Sequence, residues 1–75
     1  MNAITISDTL LAAVADGNVV YISNHLHCWR ITAKTAQRFE SVGMPVLKTK
    51  AGELYMASGR KYVCVSGCSI KVMPA

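Results

Sequence analysis

Acid is scarce in this chain. Of its 75 residues only four are Asp or Glu, against eight Lys or Arg, which leaves a net charge of +4 at pH 7. Asp8, Asp16, Glu40 and Glu53 are dispersed along the sequence. No pair of them suggests the coupled carboxylates of general acid–base catalysis. Base is missing from the other end, because residues 1–29 hold no Lys or Arg. The opening MNAITISDTLLAAVADG therefore lacks the basic segment of a secretory signal. No run approaches the roughly 18 apolar residues of a membrane-spanning helix. With a start at Met1 and no tag-like or linker-like stretch, we expect a complete, cytoplasmic protein that does not enter a membrane. Cysteine is both sparse and odd in number, at three, so free buried thiols are expected in place of a disulfide framework. The five glycines all fall where turns or caps are expected, which leaves no Gly-rich phosphate loop. Internal repeats and low-complexity segments are absent, so residues 1–75 are read as one domain.

What is plentiful is apolar surface and one-sided charge. Hydrophobic residues make up 52% and charged residues 16%. A chain this short buries a small share of its surface, so part of that apolar area is expected to face a partner or a second copy in a homodimer. Residues 30–75 carry all eight basic residues against Glu40 and Glu53, or +8 − 2 = +6. Such asymmetry suits an acidic partner.

Local patterns predict an α+β fold. Ser7 is expected to cap a helix over 8–16, with Asp8 in its first turn, Ile6 stapled to Leu11, and Ile6, Leu10 and Val14 on one side. Gly17 closes it. Strands are expected near 18–23 and 26–31, divided at Ser23-Asn24-His25. Thr32 is expected to cap a helix over 33–42, with Ala36, Phe39 and Val42 on its inner stripe and Gly43 and Pro45 ending it. The segment PVLKTKAGELYMAS reads as a hairpin about Ala51-Gly52 that pairs Lys50 with Glu53, Thr49 with Leu54, Lys48 with Tyr55 and Leu47 with Met56. Charge and face agree in that register. GRKYVCVSGCSIKVM reads as a second hairpin about Ser66-Gly67, with Val63, Val65, Cys68, Ile70 and Val72 on one face. Short connections imply an antiparallel sheet, with the two short helices on one face.

The stretch SNHLHCWR gathers both histidines, the single tryptophan and a cysteine. Strand alternation sends His25, His27 and Trp29 one way and Leu26, Cys28 and Arg30 the other. Two imidazoles on one side still lack the third and fourth ligands of a structural zinc site. Adjacent His27 and Cys28 diverge and so cannot act as a nucleophile–base pair. Trp29 is expected to anchor the core, and the three cysteines to behave as small hydrophobes. Neither a metal, a cofactor nor an enzymatic activity is expected.

Binding remains. Arg30, Lys34 and Arg38 are expected to form one basic edge, Lys34 and Arg38 being one helical turn apart. Lys48, Lys50, Arg60 and Lys61 lie on the hairpins, with Tyr55 and Tyr62 among them. Tyrosines between lysines can stack bases while the charges hold phosphates, although the same arrangement is common on any exposed sheet face. The expectation is a small non-enzymatic protein that binds a protein or nucleoprotein as a stoichiometric regulator or inhibitor. Its size and charge resemble those of small accessory proteins of phages and mobile elements. The alternative is direct DNA or RNA binding through the basic surface of residues 30–71.

Overall fold

A computed structural model describes residues 5–75. In chain order the elements are α1 (Ile6–Ala15), β1 (Asn18–Ser23), β2 (Cys28–Ile31), α2 (Ala33–Glu40), β3 (Leu47–Lys50), β4 (Glu53–Ser58), β5 (Lys61–Cys64) and β6 (Ser69–Pro74). The α+β class and the antiparallel pairing are as expected. The strands, however, form two sheets of three, ordered β2-β1-β6 and β3-β4-β5, where one sheet was expected.

α1 starts two residues earlier than the Ser7 cap predicts. Thr5 is the cap: its Oγ1 accepts from the Asp8 N–H at 3.2 Å while the Asp8 carboxylate accepts from the Thr5 N–H at 3.4 Å. Only Thr5 has an acid three residues on, so only Thr5 can close this reciprocal box. The shift turns the helix. Ile6 becomes its first residue and is 46% exposed, so it takes no part in a staple or in the inner face, which is Ser7, Leu10 and Val14. Buried Ser7 is satisfied by Thr49, whose Oγ1 lies 2.7 Å from the serine Oγ. Past the helix, the Asn18 side chain donates to the Ala13 carbonyl at 3.1 Å.

β2 begins at Cys28, not at residue 26, because Asn24 holds the intervening chain in a turn. Its Oδ1 accepts from the N–H groups of Leu26 and His27 at 2.8 and 2.7 Å, and its own N–H donates to the His27 carbonyl at 2.9 Å. Leu26 is left 72% exposed. α2 is capped by Thr32 as expected but stops at Glu40. Its end is a Schellman pair, in which Met44 N–H donates to Phe39 O and Gly43 N–H to Glu40 O, both at 3.0 Å, with Gly43 at φ +80. That left-handed step is the natural stop for a helix. It throws Val42 out of the inner stripe to 70% exposure, while Ala36 and Phe39 pack on the core.

The β3–β4 hairpin has the expected register, Lys50 to Glu53 through Leu47 to Met56. The expected β5–β6 hairpin does not form. β5 pairs back onto β4, from Ser58–Lys61 to Tyr55–Cys64, through a turn in which Gly59 has φ +63. A glycine at that position suits a tight II′ turn. β6 crosses to β1 and pairs along its whole length, Val20 with Val72 and Ile22 with Ile70. Ser66-Gly67 thus links the two sheets. Val65, at 1% exposure, plugs the corner, and its N–H donates to Leu54 O at 2.9 Å. Of the face expected for that hairpin, Val63, Cys68 and Ile70 pack against the core, but Val72 is 44% exposed at the uncovered edge formed by β6.

Both sheets and α1 contribute to one core, centred on Val20, Ile22, Ile31, Leu47 and Leu54 with Leu10 and Val14 above them. α1 rests on β1 and β3, one strand from each sheet, and touches α2. It bridges the sheets instead of lying with α2 on one face of a single sheet. Trp29 is half-buried at the rim of this core, and the aliphatic residues occupy the position expected for it.

Candidate binding surface

Three of the expected site residues converge. Arg30 on β2 and Lys34 and Arg38 on α2 line one open groove of about 540 Å3, together with Thr32, Thr35 and Gln37. Each of the three cations is solvent-exposed. The Thr32 cap fixes where α2 begins, through the Thr35 N–H bond to Thr32 Oγ1 at 3.3 Å, and so fixes where Lys34 and Arg38 project. The groove lining contains no carboxylate.

A second depression adjoins it. This cleft of about 280 Å3 runs between α2 and the β4–β5 turn, and Arg30, Thr35 and Arg38 line both spaces. Ile31, Val46 and Met56 form its buried apolar floor, Trp29 and Phe39 its walls, and Ser58 and Gly59 its rim. Neither ring is bare. The Arg38 guanidinium sits over Phe39 at 5.3 Å from the ring centroid, and His27 rests against Trp29 at 5.5 Å. The sequence showed the basic edge through the one-turn spacing of Lys34 and Arg38. It gave no local sign of the cleft, whose walls come from segments far apart in the chain.

Lys48, Tyr55 and Tyr62 form a separate cluster on the face of the second sheet turned away from the core. The Lys48 ammonium lies 3.9 Å from the Tyr62 ring centroid. Tyr62 donates to the Pro45 carbonyl at 2.6 Å, and Tyr55 to Glu53 Oε2 at 3.3 Å. Shielding from solvent, then the neighbouring Glu53 carboxylate and Cys64, push the Tyr55 hydroxyl above its usual 10.0. Lys50 stands opposite Glu53 in register. This face contains its own acid, and its tyrosines already have partners. Arg60 and Lys61 are exposed at the β4–β5 turn, next to the cleft rim at Ser58 and Gly59.

His25 and His27 are exposed, and among the described residues no three His, Cys, Asp or Glu side chains gather to hold a metal ion. The cysteines are free, but Cys28 and Cys64 are exposed and Cys68 is half-buried, which corrects the expectation of buried thiols. Cys28 and Cys64 lie on the outward faces that strand alternation assigns them. No helix among the described residues is long and apolar enough to cross a membrane. No protein-family model, curated protein or solved structure matches the chain.

Proposed function

We propose that the chain is a non-enzymatic binding protein that regulates or inhibits another macromolecule, a protein or nucleoprotein, by stoichiometric capture. The observation that carries this reading is the groove of Arg30, Lys34 and Arg38, three exposed cations with no carboxylate in its lining. Unbalanced charge of one sign in a concave site raises the local concentration of an oppositely charged partner and speeds its encounter. The size and charge of the chain resemble those of small accessory proteins of phages and mobile elements, and that resemblance makes a host macromolecule the first partner to seek.

The test is capture from host extract with the wild-type chain, a Lys34→Glu/Arg38→Glu double variant and a Lys48→Glu control. We expect one partner at fixed stoichiometry, retained by the control and lost by the double variant. Capture that ignores the groove charges would falsify the reading. Self-association is part of the same proposal and is supported by the uncovered edge strand β6, where Val72 and Met73 are 44% and 43% exposed. A purely monomeric sedimentation profile at high concentration removes that part.

Direct nucleic-acid binding is the second reading, favoured by the spread of basic residues over both the groove and the second sheet, with Lys48 beside two tyrosines. It requires affinity that falls steeply with salt, and weakening on substitution of Lys48, Lys50, Arg60 or Lys61 by Glu. No binding to DNA or RNA at low salt removes it.

A further inference from the structure

The groove and the cleft are halves of one shape. Arg30, Thr35 and Arg38 line both, so two arginines stand at the boundary between a cationic trough and a depression with an apolar floor. At about 280 Å3 the cleft is at the floor of the roughly 300–1,000 Å3 range of small-molecule pockets. That size suits one bulky side chain better than a cofactor. We propose that this composite surface docks an acidic peptide segment of a protein partner, with a bulky apolar side chain of the segment in the cleft and its carboxylates along Arg30, Lys34 and Arg38. The inference rests on the binding reading above and specifies its partner.

Spacing supports a peptide. Lys34 and Arg38 are separated by one helical turn, a rise of about 6 Å. Alternate side chains of an extended chain recur every ~6.7 Å on the same side. Carboxylates at every second position of an extended segment therefore match successive cations on α2. Arginine can grip a carboxylate through two parallel N–H bonds, and the groove offers two arginines. Charge complementarity, with three cations and no acid in the lining, selects an anionic occupant.

Within the groove and cleft, the aromatic arrangement argues against single-stranded nucleic acid as that occupant; Tyr21, half-buried and opposite Arg30 and Lys71 in register, lies outside both linings. Base stacking needs open ring faces. Arg38 covers Phe39, His27 rests on Trp29, and both rings also pack against the core. Lys48 covers Tyr62 in the other cluster. The cleft floor of Ile31, Val46 and Met56 is apolar but nearly closed to solvent, so an occupant meets the cleft mainly between the Trp29 and Phe39 walls.

Fluorescence polarisation against three labelled probes tests this. The probes are an acidic octapeptide of Asp and Glu with one central Phe, the same peptide with Ser in place of Phe, and a 15-nucleotide oligothymidylate. The Phe peptide is expected to bind roughly tenfold more tightly than the Ser peptide, since partial burial of one Phe side chain suffices for that ratio. Ser58→Phe, at the exposed rim, should fill the cleft and erase the Phe advantage while leaving the Ser peptide unchanged. Gln37→Glu, a change of similar size at a residue that lines the groove and not the cleft, should weaken both peptides by the same factor. Circular dichroism checks that each variant is folded. Equal affinity for the two peptides overturns the inference, as does tighter binding of the oligothymidylate than of the Phe peptide at matched ionic strength. If the Lys34→Glu/Arg38→Glu variant loses its captured partner while the two peptides bind alike, this inference alone fails. If capture survives that variant, the parent reading fails with it.

Discussion

Tyr55 is a side chain whose ionisation the fold opposes. It lies on the outward face of β4, donates to Glu53 Oε2 at 3.3 Å, and is held above its ordinary 10.0 by shielding and by the adjacent carboxylate. A tyrosine is neutral when protonated, so a raised value means that the folded state favours the neutral form. The associated stability is fully present below the unfolded value near 10 and is lost as pH rises through the folded value. We expect the Tyr55 ring resonances to titrate with a midpoint above 10.0. Glu53→Gln should bring that midpoint down and flatten the alkaline loss of stability. A Tyr55 midpoint that does not respond to Glu53→Gln would assign the shift to shielding and Cys64 instead of the carboxylate. At this scale the sequence was informative about neighbours across a hairpin, since the Lys48–Tyr55 and Lys50–Glu53 pairs follow from the turn position. It could not show that the Glu53 carboxylate bonds to the Tyr55 hydroxyl, because that depends on rotamers and on Cys64 arriving beside Tyr55 from β5.

The β3–β4 hairpin was legible because its turn, its charges and its two faces all select one register. Its turn nevertheless contains a local conflict. Ala51 has φ +53 and Gly52 φ +79, the double left-handed step of a type I′ turn, which Asn-Gly fits best. A left-handed alanine costs about 1–2 kcal/mol relative to a right-handed one, and asparagine tolerates the region far better. Ala51→Asn should therefore stabilise the protein by about 1 kcal/mol, read from chemical denaturation, and Ala51→Val should destabilise it. A destabilised Ala51→Asn would refute the turn assignment. The other hairpin expectation failed for a reason that alternation cannot reveal. Period-two patterning says which residues share a face, and Val63, Val65 and Ile70 do pack inward, but it does not say which strand lies alongside. β6 finds β1, from which it is separated by most of the chain, and β5 finds β4 through the Gly59 turn. The α1 start was readable in hindsight from Thr5 and Asp8, a reciprocal capping pair that outranks the solitary Ser7.

Two sheets would be two weak halves if each had its own core. With three strands apiece, neither can bury both of its faces, and three strands with one covered hydrophobic face are the least that a sheet needs to stand in water. The core cluster removes that problem by drawing Leu10 and Val14 from α1, Val20, Ile22 and Ile31 from the first sheet, and Leu47, Leu54 and Met56 from the second. Binding residues depend on the same join. Arg30 belongs to the first sheet, Arg38 to α2, and Ser58 and Gly59 to the β4–β5 turn of the second, so the cleft exists only while these parts are docked. No linear reading could assemble it, although its cationic members were each visible. For 75 residues a total stability of roughly 4–11 kcal/mol is usual, and Leu10→Ala should remove about 2–5 kcal/mol of it. Leu10 sits in the shared core, in a helix that rests on both sheets, so the loss cannot be confined to one of them. Native-state amide exchange should then show the protected amides of β1 and of β4, the central strands of the two sheets, losing protection by the same factor in Leu10→Ala, with a single unfolding transition. Unequal loss, with β4 keeping its protection while β1 opens, would mean that the sheets unfold separately. In that event Lys34 and Arg38 would remain on α2, but Arg30 and the cleft beside them would be lost with the first sheet, and the two arms of the peptide experiment would separate with temperature.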